Sequence, residues 1–117
     1  MDVQLVCGEA RAVVRPGDGL VVTTFTIGSR TIIYPDGLIE SNGRKKRRGG
    51  IPILFPQAGA VSDPPAGFLL AQHGFARDKA WETVQVSGDA RRAEFRLSSS
   101  AETHAIFPFD FEVRVTI

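Results

Sequence analysis

Three residues in the middle of this sequence carry hydrogen-bonding side chains next to glycines or close to them. Arg48 precedes two glycines, His73 precedes a third, and Arg77 follows four residues after His73. Because glycine has no Cβ, the main chain beside it can come close to a ligand. A neutral imidazole donates or accepts hydrogen bonds, and a guanidinium presents a planar fork of donors that suits paired hydroxyls or an anion. We therefore predict that Arg48, His73 and Arg77 converge on one ligand-sized hollow.

Each of these residues also has an ordinary structural explanation. His73 fits a structural histidine whose hydrogen bonds are satisfied, and Arg77 fits a surface ion pair with Asp78 or Glu82. Arg48 ends a run of five basic residues, Arg44–Arg48, which fits a solvated loop. Spacing alone does not choose between the structural and the ligand-binding roles.

The remaining reactive residues indicate neither a metal site nor a nucleophile. The two histidines, His73 and His104, lie far apart with no carboxylate at metal-ligand spacing, and the single cysteine, Cys7, excludes an internal disulfide. We expect His104 to be exposed and Cys7 to be a small core residue beside Leu5. Trp81 is expected in the core, although its ring could also stack on a ligand. No nucleophile elbow, Walker loop or dinucleotide fingerprint occurs, and no metal or cofactor is predicted.

Charge is distributed unevenly along the chain. The net charge is only +1, yet the basic run holds five of the 14 basic residues, and the remainder carries nine basic against 13 acidic residues. Such a run could contact nucleic-acid phosphates, but the low net charge and the lack of nearby aromatic residues disfavour that partner. The apolar runs are too short to span a membrane, and the N-terminus lacks signal-peptide features. The sequence predicts a cytoplasmic protein without nucleic-acid or membrane partners.

Apolar residues alternate with polar ones in most of the chain, which predicts strands with one buried face. No window favours a helix, and Arg30–Tyr34 is expected to pair with Leu20–Ile27 after a turn at Gly28-Ser29. Turn residues also separate the other runs, at Pro16–Gly19, Pro35–Gly37, Asn42-Gly43 and Ser87–Asp89. The pattern therefore predicts an all-β, antiparallel fold. The alternating or β-branched runs are Leu20–Ile27, Arg30–Tyr34, Thr83–Val86, Ala93–Leu97 and Phe109–Ile117.

Two parts of the chain depart from this pattern. Residues 43–81 show little alternation but hold most of the unusual chemistry, and their apolar content predicts a packed, functional loop. The sequence also stops at Ile117 inside its best alternating strand, and an uncovered strand tends to pair with another chain. We expect either a truncated piece of a longer domain or self-association through this strand.

Two long motifs resemble the paired signatures of the aldose 1-epimerase family. They are RRGGIPILFPQAG at residues 47–59 and QHGFARDKAWE at residues 72–82, while GSRTIIY and FPFDFEVRVTI resemble adjoining strands of the family. The similarity is greatest to the hexose-6-phosphate mutarotase (glucose-6-phosphate 1-epimerase-like) branch. The resemblance implies a galactose-mutarotase-like β-supersandwich, with residues 1–117 as its N-terminal part, truncated at the C-terminal end.

The resemblance also implies an activity and a set of binding residues. Family members interconvert the α and β anomers of an aldose by general acid–base catalysis, without a cofactor. By position, Arg48 resembles the motif arginine that contacts the sugar or its phosphate. His73 resembles the histidine that hydrogen-bonds the sugar, and Arg77 the arginine that lines the same pocket. The glycines at positions 49, 50 and 74 have no side chain, so they are expected to leave space above the loop backbone for the ligand to enter.

The sequence also departs from the family pattern. The motifs that carry the family's catalytic acid and base are absent, so no residue is assigned a catalytic role. Asp78 stands where many relatives of this branch carry asparagine. We therefore expect a catalytically incompetent chain that holds part of the pocket for a sugar or sugar phosphate. The alternative is a non-enzymatic carbohydrate-binding or interaction module that pairs through its C-terminal strand.

Overall fold

A computed structural model describes the whole chain, Met1–Ile117. It contains nine β-strands, one short α-helix, and two single 3-10 turns at Pro16–Asp18 and Ala76–Asp78. The α-helix has four residues, so it is far too short to span a bilayer. The strands are β1 (Val3–Cys7), β2 (Ala10–Arg15), β3 (Val21–Ile27), β4 (Arg30–Thr31), β5 (Gly37–Ser41), β6 (Arg44–Arg48), β7 (Glu82–Val86), β8 (Ala93–Ser98) and β9 (Glu112–Thr116), and the helix is α1 (Ala101–His104).

All strand pairs within the three sheets are antiparallel, which confirms the predicted fold class. One sheet has the order β1-β2-β3-β4, the second is the hairpin β5-β6, and the third has the order β7-β8-β9. The predicted pairing after the turn at Gly28 is present, because Ile27 pairs with Arg30. The last strand follows the predicted alternation, with Val113 and Val115 half-buried between exposed neighbours.

The core lies between the four-stranded and the three-stranded sheets. Alternate residues of β8 (Ala93, Phe95 and Leu97) are buried and belong to one cluster with Leu5 of β1 and Val14 of β2. Phe95 and Val14 are fully buried. Burial of one such side chain contributes about 1.5–3 kcal/mol to stability. The period-two pattern thus places the apolar face of β8 against the opposite sheet.

The basic run forms a strand, which corrects the prediction of a solvated loop. Arg44–Arg48 is β6, paired with β5 from Ser41–Arg44 at the tip to Gly37–Arg48 at the base. Asn42 and Gly43 at the tip both have positive φ, 52° and 72°. Two consecutive left-handed residues favour a tight hairpin whose twist matches its strands. The sequence shows no apolar–polar alternation here, because every residue of β6 is basic and exposed. The strand therefore could not be recognised from the pattern.

The long segment after this hairpin is packed only in part: Ile53, Phe55 and Leu70 pack against the core, whereas Ile51, Leu54 and Leu69 are exposed. Its anchor is a set of aromatic rings in which Phe55 contacts Phe75 at 6.0 Å and Phe111 at 5.1 Å between centroids. Phe107 joins the same set. Edge-to-face and tilted pairs of this kind add to the stability that apolar burial provides. The segment is therefore held against the region before β9.

Three smaller expectations have different outcomes. Trp81 is buried, as predicted, so its ring has no free face for a ligand, and its indole Nε1 donates to the Ala76 carbonyl. Cys7 is exposed, which contradicts its predicted place in the core. It shares the face of Leu5, but it lies at the tip of the β1–β2 hairpin, beyond the packed part of the sheet. A short helix also forms, stabilised by a capping box between Ser100 and Thr103.

Candidate functional site

A cleft of about 490 Å³ lies between the β5–β6 hairpin and the two 3-10 turns. The hairpin supplies Lys46, Arg47 and Arg48, and the opposite wall supplies Arg77. Carboxylates of Asp18 and Asp78 also line it, and only two of its 11 lining residues are hydrophobic. A polar, mostly cationic cleft of this size suits a small anionic or hydroxyl-rich ligand.

Two glycines place Arg48 at the edge of this cleft. Gly49 has φ +81°, and a Cβ there would overlap the carbonyl of Pro35. Gly50 has φ +67° and lies against the Val22 carbonyl, while the next residue, Ile51, exchanges two hydrogen bonds with Val22. These glycines, and Gly74 against the Phe55 carbonyl, allow close contact within the protein. In this structure the space left by each missing Cβ is occupied by neighbouring main chain, and the ligand-access role expected for these glycines stays a prediction.

Arg77 is placed by contacts between the two 3-10 turns. A Cβ at Gly19 would overlap the Arg77 carbonyl, so only glycine allows the turns to come this close. The Gly19 N–H donates to Lys79 O at 2.9 Å, and the Trp81 N–H donates to Pro16 O at 2.8 Å. The turn that carries Arg77 is therefore fixed by main-chain hydrogen bonds on both sides.

The cations of the cleft differ in whether a carboxylate neutralises them. Arg47 donates to Asp18 and lies 3.3 Å from Asp36, and the Asp18 hydrogen bond raises the pKa of Arg47. Arg48 and Arg77 make no ion pair. The expected pairing of Arg77 with Asp78 or Glu82 is absent, and Glu82 binds Arg96 at 2.7 Å instead. Two exposed guanidinium groups on facing walls therefore remain available to a ligand.

His73 does not line this cleft, so the structure brings together two of the three predicted residues. His73 has φ +73°, a left-handed conformation that is uncommon outside glycine. Its main-chain N–H donates to Ala58 O at 3.0 Å, and Nδ1 lies 2.9 Å from the same carbonyl. Since a carbonyl can only accept, Nδ1 carries the hydrogen and Nε2 of the neutral ring is an acceptor. His73 is thus oriented by its own loop.

Sequence reasoning missed three residues that shape the site. Lys46 was noted only as part of the basic run, Asp18 only as part of a turn, and Asp36 likewise. Asp36 is the most informative of them, because its side chain is only 6% exposed and contacts two arginines. The turn sequence Pro35-Asp36-Gly37 gave no signal for this burial. The contacts come from strands that are distant in sequence.

The two histidines form no metal site. No group of three or more His, Cys, Asp or Glu side chains is arranged to hold a metal ion. His104 is exposed, as expected, and its Nε2 lies 2.7 Å from Asp110 Oδ1. The site is therefore described by its arginines and its carboxylates.

Comparison with known proteins gives a family match for the sequence and several structures with the same fold. The family model described as aldose 1-epimerase matches residues 41–117. The crystal structure of the Slr1438 protein from Synechocystis sp. PCC 6803 is 35% identical, with a TM-score of 0.83 over 99% of this chain and 43% of that chain.

Two other crystal structures show the same fold at lower identity. A galactose mutarotase related enzyme from Lactobacillus acidophilus is 23% identical, with a TM-score of 0.76 over 99% of this chain and 38% of that one. A galactose mutarotase-like protein from Lactobacillus casei ATCC 334 is 22% identical, with a TM-score of 0.78 over 99% of this chain and 39% of that one. The present chain thus spans about two-fifths of the length of these structures. With the family model matched over most of its length, this chain belongs to the aldose 1-epimerase family.

Proposed function

We propose that this chain supplies the anion- and sugar-binding wall of a mutarotase-like site, with a hexose 6-phosphate as the preferred ligand. The overall reaction would be interconversion of the α and β anomers of that sugar. The observation that carries the proposal is the pair of exposed guanidinium groups, Arg48 and Arg77, on facing walls of one 490 Å³ cleft. Neither is neutralised by a carboxylate, whereas Arg47 between them is.

The phosphate preference follows from the chemistry of these walls. Arginine binds phosphate through two parallel, charge-assisted hydrogen bonds, which are about twice as strong as neutral ones. Lys46 adds a third cation to the hairpin wall. The carboxylate of Asp78 accepts hydrogen bonds, so it suits sugar hydroxyls. The cleft can therefore hold an anion near the arginines and hydroxyls near Asp78.

For this chain we propose binding without turnover. Anomerisation needs an acid and a base on either side of the sugar ring, with pKa values suited to proton transfer. No histidine or glutamate lines the cleft, and the Asp18 carboxylate is bound to Arg47. Asp78 is then the one remaining carboxylate of the cleft, and a single group cannot be both the acid and the base. The proposed role of His73 is an acceptor, through Nε2, for a hydroxyl of a sugar that extends beyond the cleft.

The experiment is an NMR titration of the ¹⁵N-labelled chain with glucose 6-phosphate and, separately, with glucose. We expect saturable shifts at Arg48, Arg77 and their neighbours, and tighter binding of the phosphorylated sugar. Arg48→Ala and Arg77→Ala should each weaken glucose 6-phosphate binding about tenfold or more, because each removes a charge-assisted contact. Arg11→Gln is the matched control, since Arg11 is exposed on β2 and outside the cleft.

Two outcomes would contradict the proposal. Equal weakening by Arg11→Gln would mean that only general positive charge attracts the sugar phosphate. Saturation-transfer measurement of anomer exchange at a rate well above buffer would contradict the binding-only role and would require an acid and a base within residues 1–117.

A second candidate function is a binding module that associates with a copy of itself through β9. The observation that favours it is that β9 is an edge strand, with β8 on one side and no strand on the other. Edge strands present unpaired N–H and C=O groups that pair readily with another chain. Measurement of oligomeric mass tests this candidate.

A further inference from the structure

Asp36 carries a buried carboxylate that none of the proposed ligand contacts explains. Its side chain is only 6% exposed, although it lies in the loop just before β5. Oδ2 accepts a hydrogen bond from Arg15 Nη1 at 3.4 Å. Oδ1 is buried and makes no hydrogen bond, but it lies 3.3 Å from Arg47 Nε in an ion pair. Burial of a carboxylate is tolerated where opposite charges replace its lost hydration. Asp36 is therefore held between arginines from two different sheets.

The main chain around Asp36 ties the base of the β5–β6 hairpin to β3. The Asp36 N–H donates to Thr23 O at 2.8 Å, and the Gly50 N–H donates to Tyr34 O at 2.7 Å. The two ends of the hairpin are thus joined to each other and to the large sheet. The side chain of Asp36 extends this attachment to Arg47, which is one residue from Arg48.

Arg47 continues the connection across the cleft. Its guanidinium contacts Asp36 on the hairpin side and Asp18 on the opposite wall. Asp18 belongs to the Pro16–Asp18 turn, which packs through Gly19 against the main chain of Arg77. A continuous series of contacts therefore links Asp36 to both walls that carry the free arginines.

We infer that Asp36 is a positioning residue: by holding Arg47, it sets the separation of Arg48 and Arg77 across the cleft. This inference rests on the proposed binding of a sugar phosphate between those two arginines. Asp36 itself is turned into the protein and touches no ligand. Two guanidinium groups bind one phosphate together only when the distance between them is fixed. Loss of Asp36 therefore weakens phosphate binding.

Simple electrostatics predicts that removal of the Asp36 charge has the opposite effect on ligand affinity, so the two explanations can be told apart. A negative charge near a cationic cleft opposes binding of an anion, so removal of that charge alone would strengthen binding. Positioning by Asp36 predicts weaker binding when the charge is removed. The sign of the change in affinity therefore separates the two explanations.

The first test compares Asp36→Asn with Asp2→Asn in a titration with glucose 6-phosphate. Asp2 is the matched control, because it also pairs with Arg15, at 3.4 Å, but is 41% exposed and lies outside the cleft. We expect Asp36→Asn to weaken binding about tenfold, as for a misplaced binding group. Asp2→Asn should stay within about twofold of wild type, as for an exposed ion pair. Unchanged or tighter binding by Asp36→Asn would overturn the inference.

A second variant covers the case in which Asp36→Asn does not fold. Arg47→Lys keeps the positive charge, but an ammonium group lacks the planar fork that reaches both carboxylates. Because Arg47 is 40% exposed, the variant is expected to fold, and its binding of glucose 6-phosphate should also weaken about tenfold. Wild-type affinity in Arg47→Lys would contradict the connection across the cleft.

Spectra without ligand separate failure of this inference from failure of the proposed function. In wild type the Asp36 carboxylate lies 3.3 Å from Arg47 Nε, so the Nε chemical shift reports on this ion pair. In Asp36→Asn that chemical shift should change, and the amide signals of Arg48 and Arg77 should shift. If wild type does not bind glucose 6-phosphate, the proposed function fails. The spectra without ligand still test whether Asp36 positions Arg48 and Arg77. Unchanged Arg48 and Arg77 signals would overturn its positioning role.

Discussion

Neighbouring arginines on β6 have different electrostatic surroundings. Arg47 contacts the carboxylates of Asp18 and Asp36, whereas Arg48 makes only a long hydrogen bond to a main-chain oxygen. Successive side chains of a strand diverge, so Arg48 does not reach the two carboxylates that Arg47 contacts, although both residues line the cleft. The charge of Arg47 is used inside the protein, and that of Arg48 is free for a ligand.

The first residue-scale prediction concerns Gly49, which follows Arg48. Its φ of +81° and its contact with the Pro35 carbonyl leave no room for a Cβ. Gly49→Ala should lower the free energy of unfolding by about 1–3 kcal/mol, measured by chemical denaturation. Gly37→Ala is the control in the same hairpin, at the position that pairs with Arg48, where nothing lies within 4 Å. Equal stability of the two variants would contradict the close packing described at Gly49.

At this scale the sequence indicated the binding arginines but not the residues that hold them. Arg48 and Arg77 could be singled out because their neighbours form recognisable motifs. Asp36 could not, because its burial depends on Arg15, which is 21 residues away, and on Arg47. His73 was expected to share the hollow, but hydrogen bonds to Ala58 orient it within its own loop. Such contacts depend on how separate strands meet.

At the scale of elements, alternation predicted strands where one face is buried. Ala93–Ser98 was recognised because its alternate residues pack in the core. Arg44–Arg48 was not recognised as a strand, because both of its faces are exposed and charged. Asn42-Gly43 was visible as a turn, and this pair is a strong hairpin signal when the flanking residues alternate. Without apolar residues after the turn, the strand itself left no periodic pattern.

The turn between β7 and β8 gives a pH-dependent prediction. Asp89 Oδ1 accepts hydrogen bonds from the Ser87 hydroxyl at 2.7 Å and the Arg91 N–H at 3.1 Å. These contacts lower the pKa of Asp89 below its ordinary value of 3.8. A lowered pKa in the folded state contributes stability above pH 3.8, and this contribution is lost as the pH falls through the folded-state pKa.

Asp89→Ala should therefore lower the melting temperature at pH 7, and this loss should become smaller as the pH falls below 3.8 toward about pH 2. Thermal melts followed by circular dichroism at the two pH values measure the difference. Asp63→Ala is the control, because Asp63 is exposed and makes no ion pair. A loss at pH 2 as large as at pH 7 would contradict stabilisation by the ionised carboxylate.

At the scale of the whole molecule, two packed sheets leave much apolar surface exposed. Only 16 of 117 residues are buried, and Tyr34, Leu38 and Leu69 are each more than half exposed. A domain of this length usually buries a larger share of its apolar residues. The fold class could be predicted from alternation, but this degree of exposure could not, because it depends on which faces find a partner sheet.

The hydrogen-bond pattern of β9 defines a test of the second candidate function. Ala93 and Ile117 exchange two hydrogen bonds, so they form a hydrogen-bonded pair. Such pairs alternate along an antiparallel ladder, which directs the N–H groups of Val113 and Val115 toward β8. The N–H of Arg114 therefore points away from β8, toward the open edge. A second copy pairing at this edge would need that N–H.

Arg114→Pro should prevent association through β9 while it leaves the β8–β9 ladder intact. Proline lacks the N–H and is tolerated on an edge strand where that group faces outward. Arg114→Ala is the control, since it removes the same contacts with Glu94 and Glu112 but keeps the N–H. In light scattering coupled to size exclusion, wild type and Arg114→Ala should exceed the 12.7 kDa monomer mass, and Arg114→Pro should match it. A monomeric wild type, or an associated Arg114→Pro, would exclude pairing through this edge.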